Sequence, residues 1–178
     1  MSLRHAILTL LATEPGSGYD IVQHFKQSLG YFWNAKHQQV YQELRRLSED
    51  GWLACQLDAQ SDKPDRKVYS LTRAGLAELQ RWQAEPAAPN KINDALLVKL
   101  YGGALAEPDN LVGELERHRL THADTLTRLQ AIEQQYRALS AAEQAQQRLP
   151  YLTLRRGILG EQAWLAWADE VLAELKGA

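Results

Sequence analysis

Asn34-Ala35-Lys36-His37-Gln38-Gln39-Val40-Tyr41-Gln42-Glu43-Leu44-Arg45-Arg46-Leu47-Ser48-Glu49-Asp50-Gly51 is the stretch on which the reading of this chain turns. Val40, Leu44 and Leu47 recur at helical spacing, so one narrow face of the segment is buried. At about 100° per residue, Gln38, Gln42, Arg45 and Glu49 fall on the opposite face. Gln39 and Arg46 flank that face on one side and Tyr41 on the other. Asn34 fits an N-cap and Gly51 a C′ residue, which predicts a helix of about four turns. Side-chain amides pair with adenine, and guanidinium groups with guanine or phosphate. An exposed row of Gln, Arg and Tyr therefore suits duplex DNA. A solvated helix face carries the same residue types, and this segment alone does not separate the two readings.

The next segment favours DNA. Leu53, Cys55 and Leu57 alternate with Ala54, Gln56 and Asp58, the pattern of a half-buried strand with Cys55 facing inward. Arg66 to Leu71 is β-branched and aromatic enough to be its partner. The loop Ala59 to Asp65 is too polar to bury. A helix followed by a hairpin with a charged tip is the outline of a winged helix-turn-helix. Its helix enters a major groove and its wing lies along the adjacent backbone. The candidate DNA-contacting residues are Tyr19, Lys36, His37, Gln38, Gln39, Tyr41, Gln42, Arg45, Arg46, Lys63, Arg66 and Lys67.

The 178 residues, 45% of them hydrophobic, suffice for a small domain plus an appendage. The net charge of -2 gives no overall basic signal. About ten charges of each sign precede Lys91, so any attraction for phosphate is local. Modest affinity per monomer and a strong salt dependence are expected. The single cysteine, Cys55, offers neither an intramolecular disulfide nor a zinc framework, and no metal or other cofactor is expected. No segment approaches a membrane span, so a soluble, cytoplasmic protein is expected.

Taken in order, Leu3 to Ala12 is a first helix, followed by a turn over Thr13 to Gly16. Ser17 or Gly18 starts a second helix with Ile21, Val22, Phe25 and Leu29 inward. Tyr19 lies in its first turn, near backbone N–H groups that accept a phosphate; it fits a core position equally well. Tyr31-Phe32-Trp33 fills the joint before the exposed-face helix. Thr72 caps a fourth helix, with Leu71 and Leu76 as a hydrophobic staple and Leu76, Leu79 and Trp82 buried. Two prolines and small residues from Ala84 to Asn90 mark a boundary. The expected organisation is a winged-helix DNA-binding domain over 1–85 and an α-helical dimerisation domain over 90–178.

The second half is helical by pattern. Ile92, Leu96, Leu97 and Leu100 form a short helix ending at Gly102-Gly103. Pro108 opens a long one with a seam through Leu111, Leu115, Leu126, Leu129, Ile132, Tyr136 and Leu139. The run Ala141 to Gln147 is a helix end or a loop, and Pro150 opens the last helix. There Tyr151, Leu154, Ile158, Glu161, Leu165, Ala168, Leu172 and Leu175 are spaced three and four apart, the coiled-coil period. Trp164, Trp167 and Val171 make a second apolar stripe, and a lone helical hairpin cannot bury both. A second copy of the chain is the simplest cover, with Leu154, Ile158, Trp164, Leu165, Trp167 and Leu172 as candidate dimerisation residues.

These residues together resemble the PadR family of winged-helix transcriptional regulators, in its virulence-activator-like branch. The matching features are Gly18-Tyr19-Asp20-Ile21, Phe32-Trp33, His37 through Leu44, Leu47 through Gly51, and Arg66 through Thr72 with Gly75. The C-terminal helices match more weakly, by periodicity. Asn34-Ala35-Lys36 departs from the Pro- or Ser-containing turn of many relatives. The resemblance implies a homodimer held by its C-terminal helices, with two heads on a near-palindromic operator. It implies gene regulation, most often repression, and in some members a response to a small apolar or phenolic effector.

Competing readings remain. Trp164 and Trp167 are candidate walls of an effector pocket, or simply core. His118 and His122 share a helical face, but no H-E-x-x-H pattern surrounds them and polar packing is the favoured reading. No phosphate loop, nucleophile elbow or paired carboxylates point to an enzyme. The alternative to a DNA-binding regulator is a winged-helix adaptor that binds protein. The expected fold is mainly α with a small β-hairpin wing: a winged helix-turn-helix plus a C-terminal antiparallel pair of long helices. Half-sites are expected about 34 Å apart or a multiple of it.

Overall fold

The computed structural model describes residues 3–25, 36–58, 66–89, 93–103 and 108–177. In chain order the elements are α1 (Leu3–Leu11), β1 (Gly16–Ser17), α2 (Gly18–His24), α3 (His37–Glu49), β2 (Leu53–Asp58), β3 (Arg66–Leu71), α4 (Arg73–Gln83), α5 (Ala95–Tyr101), α6 (Pro108–Arg137), α7 (Ala141–Gln146) and α8 (Arg148–Gly177). The chain divides into two compact units, Met1–Asn90 and Lys91–Ala178. Asn34, Tyr31-Phe32-Trp33, Leu29, Lys63 and Ile92 lie outside the described residues.

In the first unit, Ile7 and Leu8 of α1, Ile21 of α2, and Val40, Leu44 and Leu47 of α3 converge on one core. Each such side chain, taken fully out of water, contributes about 1.5–3 kcal/mol. Burying Val40, Leu44 and Leu47 turns the other side of α3 to solvent, as the spacing requires. Gly51 ends α3 with φ of 73°, a left-handed C′ conformation that favours glycine. The antiparallel sheet has the order β1-β3-β2, with Leu53 opposite Leu71 and Asp58 opposite Arg66. β1 has no counterpart in the sequence pattern. The extended Gly16-Ser17 that leads into α2 lies along β3, pairing Gly16 with Tyr69 and Ser17 with Val68.

Two expectations fail here. Cys55 and Leu57 are exposed, and only Leu53 of β2 is buried. β2 is an edge strand and the helical core covers only its first residue, so the remainder is a solvated ribbon. Leu76 is 43% exposed, so it does not continue the buried face, although Leu71 packs against the core. The cap at α4 is as expected. Thr72 Oγ1 accepts from the Gly75 N–H at 3.0 Å and donates to the Gly51 carbonyl at 2.8 Å. A Cβ on Gly75 would lie 2.2 Å from the Trp52 carbonyl oxygen, so only glycine lets α4 approach the start of the wing this closely.

In the second unit, Asp94 caps α5 through the Leu96 N–H at 2.9 Å. The pairs Glu116–Lys176, Arg119–Asp169 and His122–Glu161 run in opposite senses along the chain, so α6 and α8 are antiparallel. Leu111, Leu115 and Leu129 of α6 are buried, as are Ile158, Ala168 and Leu172 of α8. Ser140 and Glu143 form a capping box that makes α7 a helix rather than a loop.

Two of the residues expected to hold the dimer are buried within their own chain. Ile158 and Leu172 are 1% and 8% exposed within their own chain, and Leu154 and Leu165 are half-buried. Trp164, Trp167 and Val171 pack against the cluster of Leu96, Leu111, Leu115, Ala168 and Leu172. Both stripes therefore serve the chain itself, because α5 adds a third apolar surface to those of the two long helices. Among the described residues, no helix is long and apolar enough to cross a membrane.

Candidate nucleic-acid interface

α3 opens at His37. Lys36 occupies the N-cap position, and its backbone N–H donates to Gln39 Oε1 at 3.0 Å. The Gln39 side chain, a candidate DNA contact, is thereby tied to the helix start through its Oε1. Gln38 and Gln42 are exposed and make no side-chain hydrogen bond among the described residues. Lys36 and His37 are exposed at the start of the helix.

The basic groups of α3 are partly engaged. Arg45 Nε donates to Glu49 Oε1 at 2.8 Å, one turn on, and this bond raises the Arg45 pKa above its ordinary value. Arg46 lies 3.6 Å from Glu43, which also binds Arg4 at 2.9 Å. Both guanidinium groups of α3 remain exposed, and exposed pairs of this kind hold weakly, so a phosphate can displace the carboxylate.

Tyr41 and Tyr19 frame the α2 side of the face, and both are exposed. His37 and Tyr41 rings lie 5.0 Å apart. A Cβ on Gly18 would meet Tyr41 Cε1 at 2.5 Å, so Gly18 seats the tyrosine flank of α3 against α2. Tyr19 is thus a surface residue, not a core one.

The wing departs from expectation at Arg66. Its Nη2 donates to Asp20 Oδ2 at 2.6 Å, so it is not a free cation on a ribbon. Asp20 also closes a capping box with Ser17, whose N–H donates to Oδ2 at 2.9 Å. The backbone hydrogen bond from Ser17 leads the causes that hold the Asp20 pKa below its ordinary value, with Arg66 adding to it. That carboxylate lies at the start of α2 beside Tyr19, where a phosphate was expected. Lys67 is exposed, with no ion-pair partner among the described residues.

In the second unit, His122 Nδ1 lies 2.5 Å from Glu161 Oε2, and its ring stacks on Trp164 at 3.7 Å. Trp164 and Trp167 meet edge to face at 5.6 Å. This is the polar packing expected of His122. Glu161, a charged residue on an apolar seam with a histidine on the facing helix, was the signal for that pair. Buried Glu133 carries no such signal in the spacing. Burial alone raises its pKa, but hydrogen bonds from Tyr151 at 3.0 Å and Arg137 at 3.2 Å, with Arg155 at 3.1 Å, outweigh it and hold the group low.

The same two units appear in known families. Residues 7–81 match the transcriptional regulator PadR-like family, and residues 92–176 match the virulence activator alpha C-terminal family. The chain is 33% identical to the negative transcriptional regulator PadR of Bacillus subtilis, over 96% of both chains. The chain belongs to the PadR-like family. That is a family of transcriptional regulators rather than enzymes, and the winged-helix fold is its fold. The crystal structure of B. subtilis PadR with operator DNA matches with a TM-score of 0.82 at 30% identity, covering 97% of this chain and 98% of that one. The Vibrio cholerae virulence activator AphA also gives 0.82, at 40% identity and 99% of each chain. B. subtilis PadR with p-coumaric acid matches at 0.75 and 28% identity, over 98% and 95%.

Proposed function

We propose that this protein is a sequence-specific DNA-binding regulator, a repressor, that acts in the cytoplasm as a homodimer on a near-palindromic operator. The observation that carries the reading is the solvent-facing row of Gln38, Gln42, Arg45 and Arg46 on α3, flanked by Tyr41, Tyr19 and the cations of the wing. Amide and guanidinium groups in that row suit base edges, while Lys36, His37 and Lys67 suit phosphates. The operator complex of the B. subtilis relative supports the same use of the fold. Lys63 belongs to this proposed set by sequence alone.

The proposed dimer face is the outer side of α8. Leu149, Leu152, Arg156, Leu159, Ala163, Ala166, Glu170 and Ala173 are all exposed and are spaced three and four apart. Leucines and Arg156 occupy its first half, alanines and Glu170 its second. An antiparallel pairing with a second copy sets Leu159 against Ala163 and Leu149 against Ala173. It also brings Arg156 within a turn of Glu170. Large therefore meets small and plus meets minus, which is what a two-fold interface requires. This outer face replaces the inner seam expected from sequence.

An effector also belongs to the proposal. Trp164 and Trp167 are half-buried aromatic walls of the second unit, and a relative binds p-coumaric acid. A small apolar aromatic compound should quench their fluorescence and weaken operator binding; unchanged fluorescence across a broad panel removes the effector.

The main test is a mobility shift with the DNA upstream of the protein's own gene, repeated across salt concentrations. Binding by a regulator falls steeply with salt, and Lys67→Ala flattens the log–log slope by about 0.9 for each phosphate left without its cation. A chain that retards no fragment at low salt is an adaptor instead.

A further inference from the structure

Arg66 stands on the wing assigned above to DNA, and the role proposed for its pair with Asp20 rests on that assignment. Asp20 Oδ2 is held by its own turn, accepting from Ser17 N–H and Ser17 Oγ, each at 2.9 Å. The Asp20 N–H donates back to Ser17 Oγ at 3.3 Å. The carboxylate is therefore fixed, and Arg66 comes to it from 46 residues along the chain, at 2.6 Å. The pairing of Ser17 with Val68 brings the base of the wing within reach. Tyr19, between Gly18 and Asp20 in the chain, is exposed, and Gly18 faces Tyr41 of α3, so the α2 turn that carries Asp20 is seated against the recognition helix. The pair borders an open cleft with Glu14 and His24, through which solvent reaches the guanidinium. Among the described residues the Arg66 side chain makes no other hydrogen bond, and the Lys67 side chain makes none.

We propose that Asp20 is a positioning residue of the DNA interface: it holds Arg66 in the free protein and withholds that wing cation from the phosphate backbone. Unlike Glu49 in its pair with Arg45, Asp20 is 34% exposed and fixed by Ser17, so a phosphate oxygen that takes Arg66 must replace a charge-assisted bond of similar strength and the exchange gains little. Near Asp20 the guanidinium is also largely neutralised. Sequence-independent attraction is the electrostatic part of binding, so Asp20 lowers non-specific affinity and leaves Gln38 and Gln42 a larger share of the selectivity.

The experiment measures binding of the full-length protein to a duplex of arbitrary sequence between 50 and 200 mM salt, for wild type, D20N, R66A and the double variant. Asparagine keeps an oxygen for the Ser17 N–H, and a thermal melt by circular dichroism verifies the fold. D20N is expected to bind tighter, with a log–log slope steeper by about 0.9. Its gain over wild type therefore shrinks about 3.5-fold between 50 and 200 mM salt. R66A is expected to change the slope far less than this, and D20N added to R66A to change nothing further. An unchanged D20N overturns the proposal. So does an equal gain in the R66A background, since that is plain repulsion between Asp20 and phosphate. Should D20N not fold, R66A decides alone: a slope flatter by about 0.9 means Arg66 was already on phosphate. Failure of the wild type to bind any duplex removes the DNA reading instead, which is a separate result.

Discussion

Glu78 shows how one side chain ties acid stability to packing. His5 is buried, stacks on Trp82 at 4.7 Å and donates through Nε2 to Glu78 at 3.0 Å, while Arg81 donates to both Glu78 oxygens at 2.7 Å. The Arg81 hydrogen bond first, and His5 after it, bring the Glu78 pKa from 4.5 down to about 2. A carboxylate depressed on folding contributes stability that is fully present above 4.5 and is lost as pH falls through about 2. Glu78→Gln removes this contribution, so its melting temperature should fall less steeply between pH 4.5 and 2 than that of the wild type. Parallel acid arms for the two proteins would refute it. At the same scale, Gln42 is an uncommitted amide on α3 and Gln39 is not. Gln42→Ala should lose about 1–3 kcal/mol of discrimination at one position of each half-site, read by competition among single-base operator variants. Gln39→Ala should instead fray the start of α3, with uniform loss across variants.

At the scale of elements, the Thr72 hydroxyl ties the start of α4 to the α3–β2 corner. Thr72 caps α4 and bonds to the end of α3, so Thr72→Ala removes both hydrogen bonds. A loss of about 1–2 kcal/mol in urea unfolding is expected, at the upper end for a cap because the Gly51 carbonyl loses its donor too. A change below about 0.3 kcal/mol would mean water replaces both bonds. The elements also show where sequence reading succeeds. Val40, Leu44 and Leu47 are buried and Gln38, Gln42 and Arg45 exposed because helical periodicity is local. The inward placement of Cys55 and Leu57 failed because alternation identifies two faces of a strand without saying whether anything covers either one. β1 was invisible because two residues carry no period.

For the whole molecule, the outer face of α8 makes a prediction that the inner seam does not. Leu149, Leu152 and Leu159 are 74%, 52% and 53% exposed. Leu159→Glu should leave the helical circular dichroism intact and yield monomers in sedimentation. Burial of a leucine stabilises by about 1.5–3 kcal/mol and two-fold symmetry counts it twice, so the dimer dissociation constant should rise about a hundredfold or more. Ile158→Glu should unfold the second unit instead, since it charges a side chain buried within the chain. A Leu159→Glu protein that stays dimeric would move the interface elsewhere, and loss of the proposed dimer should lower operator affinity, since each head then binds one half-site alone.

By itself the sequence determined the helices other than α7, the cap at Thr72, the wing hairpin and the face of α3 that meets solvent. All are set by interactions among residues close in the chain, and spacing records those interactions directly. Only the tertiary structure decided that Arg66 is bound to Asp20 and that Gln39 serves the helix start. It alone decided that both apolar stripes of α8 are used within the chain, leaving its outer side uncovered. Each of these depends on which group arrives at a given side chain, and periodicity carries no information about such partners.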